Sequence, residues 1–249
     1  MTIKKQEVVA NGIVINSKPY KDSDALVTIF TKEYGKMTLV AKGVKKIKSK
    51  NASAVQTITL SEFTFIPRVG LSTLIKATPT NFFRYIKEDI ILETYASYMM
   101  EFVLKNEEDN HPSSIIYDTL LYSLECLENG YNYKLVYLLY NAFILKVVVS
   151  PLQVDGCCYC GKADQIVGIS YSGGGFVCLD CIGEYDQRKD KDVLKAFRHI
   201  NKYQIKDIDK INIEENILDE LIEIMDYFIE EYTGILFKTK KFIKQLSKL

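Results

Sequence analysis

The chain has 249 residues, 47% hydrophobic and 26% charged, which is typical of a globular protein and excludes a disordered or fibrous one. No apolar stretch reaches the roughly 18 residues of a membrane span, and no signal peptide opens the chain, so we expect a cytoplasmic protein with reduced cysteines. Residues 1–80 hold 13 Lys+Arg and 5 Asp+Glu (+8), whereas residues 81–249 hold 19 and 27 (−8). This asymmetry predicts a polyanionic partner for the first part of the chain, the alternative being a lysine-rich solvated face.

Five β-rich segments fill the first part of the chain. They are Val8 to Ile15, Asp24 to Thr31, Met37 to Ala41, Val55 to Pro67 and Leu71 to Ala77. The sequence Glu33-Tyr34-Gly35-Lys36 predicts a hairpin turn in which Gly35 adopts a positive φ. Five short strands without an intervening helix predict a small closed barrel, and the five-stranded OB-fold is the leading interpretation. An SH3-like barrel is the alternative.

The segment between the third and fourth predicted strands is the most basic in the chain. Residues 42–50, called the lysine loop below, contain five lysines and no acid: Lys42, Lys45, Lys46, Lys48 and Lys50. We expect this loop to be exposed and mobile, with lysines that contact phosphates without reading bases. Such a loop beside a barrel is typical of a sequence-neutral single-strand binder. Tyr20 and Tyr34 are the candidate stacking platforms because they lie at turns, and the other barrel aromatics are expected in the core.

The remainder of the chain is predicted to be mainly helical. Apolar residues recur at helical spacing over residues 82–107, 114–127, 133–149, 190–201 and 214–232. The last segment, from Lys238 to Lys248, carries five lysines and no acid. It is either a second phosphate contact or a frayed basic tail, and the sequence leaves both open.

Two Cys-x-x-Cys pairs interrupt the helical pattern. Cys157 and Cys160 are separated by 17 residues from Cys178 and Cys181, a spacing that matches a structural zinc site. Four thiolates leave no open position for a catalytic water, so we expect one structural Zn²⁺ in a ribbon at about residues 155–183, with a strand near residues 166–171. A disulfide framework and a redox motif are the disfavoured alternatives. Cys158 is the spare thiol of the first pair.

Catalytic motifs are absent from the sequence. It has no phosphate-binding Gly-x-x-x-x-Gly-Lys loop, no His-Glu-x-x-His and no deaminase signature, and its two histidines, His111 and His199, are expected on the surface. Cys126 lies in a helical pattern and is expected in the core. We therefore predict a protein that is not an enzyme, of class α+β. An N-terminal five-stranded OB-fold barrel (residues 1–80) precedes an α-helical domain (residues 81–249) with an inserted four-cysteine zinc ribbon.

Three local motifs carry a resemblance that covers the whole chain. They are Tyr20-Lys21-Asp22-Ser23-Asp24-Ala25-Leu26, Thr31-Lys32-Glu33-Tyr34-Gly35-Lys36 and Ala41-Lys42-Gly43-Val44-Lys45-Lys46. Together with the cysteine pairs, they make the chain resemble the bacterial RecO family of recombination mediators. The resemblance implies binding of single- and double-stranded DNA by the barrel and annealing of complementary strands. It also implies binding to RecR and to the C-terminal tail of the single-stranded DNA-binding protein, and indirect loading of RecA, in the cytoplasm near the nucleoid during repair.

The resemblance also implies roles for particular residues. The zinc ligands that it implies are Cys157, Cys160, Cys178 and Cys181. The DNA-contact residues that it implies are Lys36, Lys42, Lys45 and Lys46. Lys48 and Lys50 are predicted to contact DNA only because they are positively charged. Two other interpretations stay open: a zinc-ribbon transcription or RNA-binding factor with an OB-fold, and an enzyme that uses the Cys158 thiol.

Overall fold

A closed β-barrel forms the first part of the structure, a computed structural model that describes residues 6–246. Its strands are β1 (Val8–Tyr20), β2 (Asp24–Thr31), β3 (Gly35–Ala41), β4 (Leu60–Ile66) and β5 (Leu71–Asn81). They are hydrogen-bonded in the order β1-β2-β3-β5-β4, and β4 closes the barrel on β1. All pairs are antiparallel except β3 with β5, which is parallel. The predicted five-stranded barrel of OB type is therefore confirmed.

The barrel interior is built by side chains that alternate along each strand. On β3, Met37, Leu39 and Ala41 are buried, while the residues between them are half-buried. This two-residue period places one set of side chains inside the barrel and the other on its outer surface. The interior is filled by valine, isoleucine, leucine and phenylalanine, among them Val14, Val27, Ile29, Leu39, Phe63 and Phe65.

The fourth strand begins later than the sequence predicts. Residues Ser53–Val55 form a turn of 3-10 helix, and Ile58 has a φ of 54°, so no continuous strand begins before Leu60. Ala54 and Val55 are nevertheless buried in the barrel core. The apolar residues that suggested a longer strand therefore close part of the barrel interior without joining the sheet.

Four helices share a compact unit with the barrel. They are α1 (Arg84–Glu88), α2 (Ile90–Asn106), α3 (Ser114–Glu128) and, from the end of the chain, α7 (Thr239–Leu246). The single helix predicted over residues 82–107 is divided at Asp89, which has extended backbone angles. Its carboxylate accepts hydrogen bonds from the N–H groups of Ile91 and Leu92, at 2.7 and 3.2 Å, and thus caps a new helix.

The chain divides into two compact units. One comprises Met1–Gly130 and Phe237–Leu249, and the other comprises Tyr131–Leu236. The barrel itself ends with β5 at Asn81, so α1, α2 and α3 belong to the same compact unit as the barrel. The assignment of separate roles to residues 1–80 and 81–249 stays a prediction.

The second unit contains three long helices and a small sheet. The helices are α4 (Tyr133–Val148), α5 (Lys191–Lys202) and α6 (Glu215–Thr233), and the strands are β6 (Ile166–Ser170), β7 (Gly175–Cys178) and β8 (Gln187–Arg188). The sheet has the order β7-β6-β8. Helices α4 and α6 are joined by Lys134, whose ammonium lies 2.6 Å from carboxylate oxygens of both Glu215 and Asp219.

Aromatic contacts hold the ribbon against α6. The Tyr232 hydroxyl donates to the carbonyl oxygens of Tyr171 and Ser172 at 2.6 and 3.1 Å, and the rings of Tyr171 and Tyr227 lie 4.5 Å apart. The sequence predicted one strand in the ribbon, whereas the structure has two, β6 and β7, and β8 pairs with β6 just beyond the ribbon. Across residues 6–246, no helix has the length and apolar character needed to cross a membrane.

Candidate functional site

Two tight turns present the four cysteines of the ribbon. In the first, the N–H of Gly161 donates to the carbonyl of Cys157 at 2.8 Å, and Gly161 has a φ of +77°, which favours glycine. In the second, the N–H of Cys181 donates to the carbonyl of Cys178 at 3.2 Å. Each turn therefore directs two sulfur atoms to the same side, as the Cys-x-x-Cys spacing predicts.

The four sulfur atoms form one cluster. Those of Cys157, Cys160, Cys178 and Cys181 all lie within 4.8 Å of one another, and those of Cys160 and Cys178 are 3.7 Å apart. A tetrahedral ion with metal–sulfur distances of about 2.3 Å would hold its sulfur ligands about 3.8 Å apart. The donor set and its dimensions therefore fit a single metal ion, and this part of the chain could hold one.

Electrostatics within the cluster favour a cation. Burial acts to raise the pKa of Cys157, but hydrogen bonds from the backbone of Cys178, Cys160 and Tyr159 outweigh it and lower the pKa to about 6. Hydrogen bonds to the thiols of Cys160 and Cys178, with burial, raise the pKa of Cys181 to about 12. The site thus stabilises one thiolate readily and resists full ionisation of the set, and a divalent cation would remove that resistance.

The other two cysteines stand outside the cluster. Cys158 is half-buried, and its N–H donates to the carbonyl of Phe176 at 2.7 Å. Burial, followed by the neighbouring Cys157, raises the pKa of the Cys158 thiol. Cys126 is partly buried on α3. The choice of Cys157 and Cys160 over Cys158 as the paired thiols agrees with this geometry.

The lysine loop is exposed but its backbone is anchored. All five of its lysine side chains are exposed, while Val44 is buried in the barrel core. The N–H of Gly43 donates to the Asp24 carboxylate at 2.7 Å, and the N–H of Lys45 donates to the Ser23 carbonyl at 2.9 Å. The loop is thereby tied to the turn between β1 and β2, which also carries the exposed Lys21.

Lys36 differs from the loop lysines. Its ammonium donates to the carbonyl of Leu104 at 3.0 Å and lies 3.4 Å from the Asp109 carboxylate, and only 13% of its side chain is exposed. The structure therefore separates Lys36 from the other five predicted DNA-contact residues. This position of Lys36 could not be predicted from local patterns, because its partners lie about 70 residues away along the chain.

The two candidate stacking platforms also differ. The ring of Tyr34 packs edge-on against Phe65 at 5.5 Å, so it belongs to the barrel packing. Tyr20 is half-buried at the end of β1, and the ammonium of Lys21 lies 5.3 Å from its ring centroid. Tyr20 is therefore the one of the two that adjoins the anchored lysine loop.

The chain combines an OB-type barrel with helices that carry a four-cysteine ribbon. It is therefore of the class of OB-fold proteins with a cysteine-ribbon insertion. The family described as Recombination protein O N terminal matches residues 4–83, and Recombination protein O C terminal matches residues 87–241. The chain belongs to the RecO family of DNA repair proteins.

Individual relatives match along nearly the whole chain. The DNA repair protein RecO of Listeria monocytogenes serotype 4a (strain HCC23) is 30% identical over 239 residues, which cover 95% of this chain and 94% of that protein. The RecO protein of Bacillus pumilus (strain SAFR-032) is 26% identical over 244 residues, covering 97% and 95%. That of Bacillus cytotoxicus is 28% identical over 239 residues, covering 95% and 96%.

Three of the five basic side chains between residues 84 and 146 are engaged within the protein. Lys87 donates to the Thr59 hydroxyl at 2.7 Å, and Lys105 lies 2.8 Å from the Glu101 carboxylate. Lys134 makes the two carboxylate contacts described above. Arg84 and Lys146 are exposed. Few exposed basic side chains therefore remain in this part of the chain.

Proposed function

We propose that this protein is a recombination mediator that binds single- and double-stranded DNA through its barrel and anneals complementary strands. The observation that carries the proposal is the lysine loop: five exposed lysines on a backbone tied to the barrel of a RecO-family chain. Phosphate contacts by lysine are independent of sequence and weaken with salt. Lys42, Lys45, Lys46, Lys48 and Lys50 are the proposed contacts, and Lys36 is expected to contribute less because its ammonium faces Leu104 and Asp109.

The ribbon is proposed to bind one structural Zn²⁺ through Cys157, Cys160, Cys178 and Cys181. Four sulfur donors within 4.8 Å support this assignment, because thiolates in a tetrahedral set suit zinc. The role of the ion is to fix the two Cys-x-x-Cys turns relative to each other. No catalytic step is assigned to the ion or to any residue of the chain.

The partners proposed for the helical segments are proteins. Through these segments the chain binds RecR and the C-terminal tail of the single-stranded DNA-binding protein, and it thereby assists the loading of RecA. It does so in the cytoplasm and at the nucleoid during repair. Family membership supports these partners. Holding DNA and loader on one scaffold raises their effective concentration.

Annealing of complementary strands coated with single-stranded DNA-binding protein tests the proposal. The wild type is compared, over a salt series, with a variant in which the five loop lysines are alanine. Each phosphate contact contributes about 0.7 to the slope of log affinity against log salt for single strands, so up to about 3.5 would be lost with five contacts. A triple variant of Lys42, Lys45 and Lys46 is matched by a control that replaces three exposed lysines of the second unit: Lys191, Lys195 and Lys206.

The outcomes separate the function from its location. Annealing by the wild type, with weaker and less salt-dependent binding in the loop variants only, supports both the annealing function and DNA contact at the lysine loop. Annealing that survives all five changes keeps the function and places the DNA on another surface. A folded, zinc-loaded protein that does not anneal refutes the mediator proposal and favours a ribbon-containing transcription or RNA-binding factor.

A further inference from the structure

The end of the described chain forms an ordered basic helix, not a frayed tail. Residues 238–246 contain four lysines and no acidic residue, and α7 occupies Thr239–Leu246. Lys248, the fifth lysine of the predicted basic segment, lies outside the described residues. The barrel function proposed above makes no use of α7, although α7 belongs to the compact unit that contains the barrel.

Helix α7 is held in place by a buried carboxylate of α2. Glu101 accepts hydrogen bonds from the backbone N–H groups of Lys238 and Thr239 at 2.8 and 3.0 Å, and from the Thr239 hydroxyl at 2.8 Å. An isolated helix of eight residues is not stable in water, so this cap and the surrounding packing fix α7. Phe237 contributes to that packing with its ring centroid 4.4 Å from that of Tyr98.

The two sides of α7 differ in chemistry. Ile243 and Lys240 are buried against the rest of the unit, each with 5% exposure. The outward side carries exposed Lys238, Lys241 and Lys244, together with Phe242, which is 62% exposed. Lys241 and Lys244 are three residues apart and therefore neighbours on the helix, where like charges repel.

The outward side of α7 matches the chemistry of a nucleic-acid strand. Ammonium groups at this spacing complement phosphates, and an exposed aromatic ring beside them offers a face on which a base can stack. A lipid surface is a weaker fit, because the apolar side of α7 is already covered by its own protein. Charge complementarity and Phe242 together indicate one kind of occupant, a single strand of nucleic acid.

We propose that α7 is a second binding surface for single-stranded nucleic acid, distinct from the lysine loop, through Lys238, Lys241, Phe242 and Lys244. This inference rests on the proposed function, because strand annealing needs two strands held near each other. Helix α7 packs on α2, and α2 contacts β1 of the barrel, so the two surfaces belong to one body. One molecule would then hold one strand at the loop and the other at α7.

A bridging assay tests the proposal directly. Donor- and acceptor-labelled oligothymidylate strands of about 40 nucleotides cannot pair, so energy transfer between them reports protein that holds both strands. The α7 variant carries Lys241→Gln, Lys244→Gln and Phe242→Ser, and the matched charge control carries Lys191→Gln and Lys195→Gln, two exposed lysines of α5. We expect at least a fivefold loss of bridging in the α7 variant, less than a threefold loss of affinity for one strand, and no change in the control.

A second background isolates α7 from the loop. In the variant with five alanines in the loop, the remaining single-strand binding is expected to come from α7. There, Lys241→Gln with Lys244→Gln should reduce the salt slope by about 1.4, and Phe242→Ser alone should weaken binding without changing the slope. Circular dichroism should show that each variant is folded, because the substituted positions are exposed.

The outcomes distinguish failure of the proposed function from failure of the second surface on α7. Wild-type protein that neither binds nor anneals DNA refutes the proposed function itself. Wild-type annealing with undiminished bridging by the α7 variant refutes the second surface alone. Binding to phosphatidylglycerol vesicles that depends on Lys241, Lys244 and Phe242, with no effect on DNA bridging, would show that α7 is a membrane contact and overturn the inference.

Discussion

Replacing Glu101 with glutamine should release α7 from α2. The carboxylate accepts three hydrogen bonds from Lys238 and Thr239 and lies 2.8 Å from the ammonium of Lys105. A glutamine side chain has one oxygen with two lone pairs, so at least two of these four donors lose their acceptor, and the new NH₂ group faces donors. A hydrogen bond to a charged group contributes about 1.5–3 kcal/mol net, so we expect α7 docking to weaken by about 2–3 kcal/mol.

Hydrogen–deuterium exchange of residues 237–246 measures this effect. A loss of 2–3 kcal/mol corresponds to exchange that is about 30- to 150-fold faster in this segment. Because α7 packs chiefly on α2, the opening is local, and exchange in the barrel strands should change little. The control is Glu62→Gln, at an exposed position on β4. A change below about threefold in α7 would show that packing, and not the carboxylate, holds the helix.

The same contact predicts a pH dependence. Burial acts to raise the pKa of Glu101, but Lys105 and the donors of Lys238 and Thr239 outweigh it, and the pKa lies below the ordinary value of 4.5. A carboxylate with a depressed folded-state pKa contributes stability that is present above the unfolded value and is lost as the pH falls through the folded value. The difference between wild type and Glu101→Gln should therefore be constant near neutral pH and shrink below pH 4.5.

Three further tests concern the barrel, the ribbon and the half-buried amine of Lys87. Gly35→Ala should lower the free energy of unfolding in urea by about 2 kcal/mol or more, because Gly35 has a φ of +68° and a methyl group would collide with the carbonyl of His111. The control is Gly70→Ala, where φ is +84° but the space around the residue is open, and the loss should be about 1 kcal/mol. Metal analysis should find that Cys178→Ser abolishes zinc binding while Cys158→Ser keeps one ion per chain. Burial lowers the pKa of Lys87, so the contribution of Lys87 to stability should rise with pH between that lowered value and 10.5. The stability of the wild type minus that of Lys87→Met should therefore increase over this range.

Local patterns predicted much of the fold. The strand segments follow from two-residue alternation, and the Gly35 turn follows from the freedom of glycine at positive φ. The cysteine cluster follows from spacing, because each Cys-x-x-Cys turn is closed by hydrogen bonds within a few residues. These features depend on neighbours along the chain, which is the information that a single sequence displays most directly.

Features that depend on distant partners were not predictable. The ammonium of Lys36 is directed to Leu104, and Glu101 accepts hydrogen bonds from a residue 137 positions later. Periodicity also could not distinguish one helix over residues 82–107 from two helices, because the apolar residues continue through the cap at Asp89. The basic C-terminal segment stayed ambiguous for the same reason: its order depends on a carboxylate of α2 and not on its own propensity.

Both basic segments of the first unit are fixed by carboxylates that contact backbone and leave the outward lysines exposed. Asp24 accepts the N–H of Gly43 in the lysine loop, and Glu101 accepts the N–H groups of Lys238 and Thr239 at the start of α7. A carboxylate paired with a lysine ammonium of the loop would cancel the charge that contacts phosphate. A carboxylate that accepts a hydrogen bond from the backbone instead fixes the position of the segment and leaves the ammonium exposed. Fixed position lowers the entropy lost when a strand binds, since less of the surface must be ordered at that moment. The acids near these two basic segments therefore act as anchors for cationic surfaces, which explains how a chain with zero formal net charge can present them.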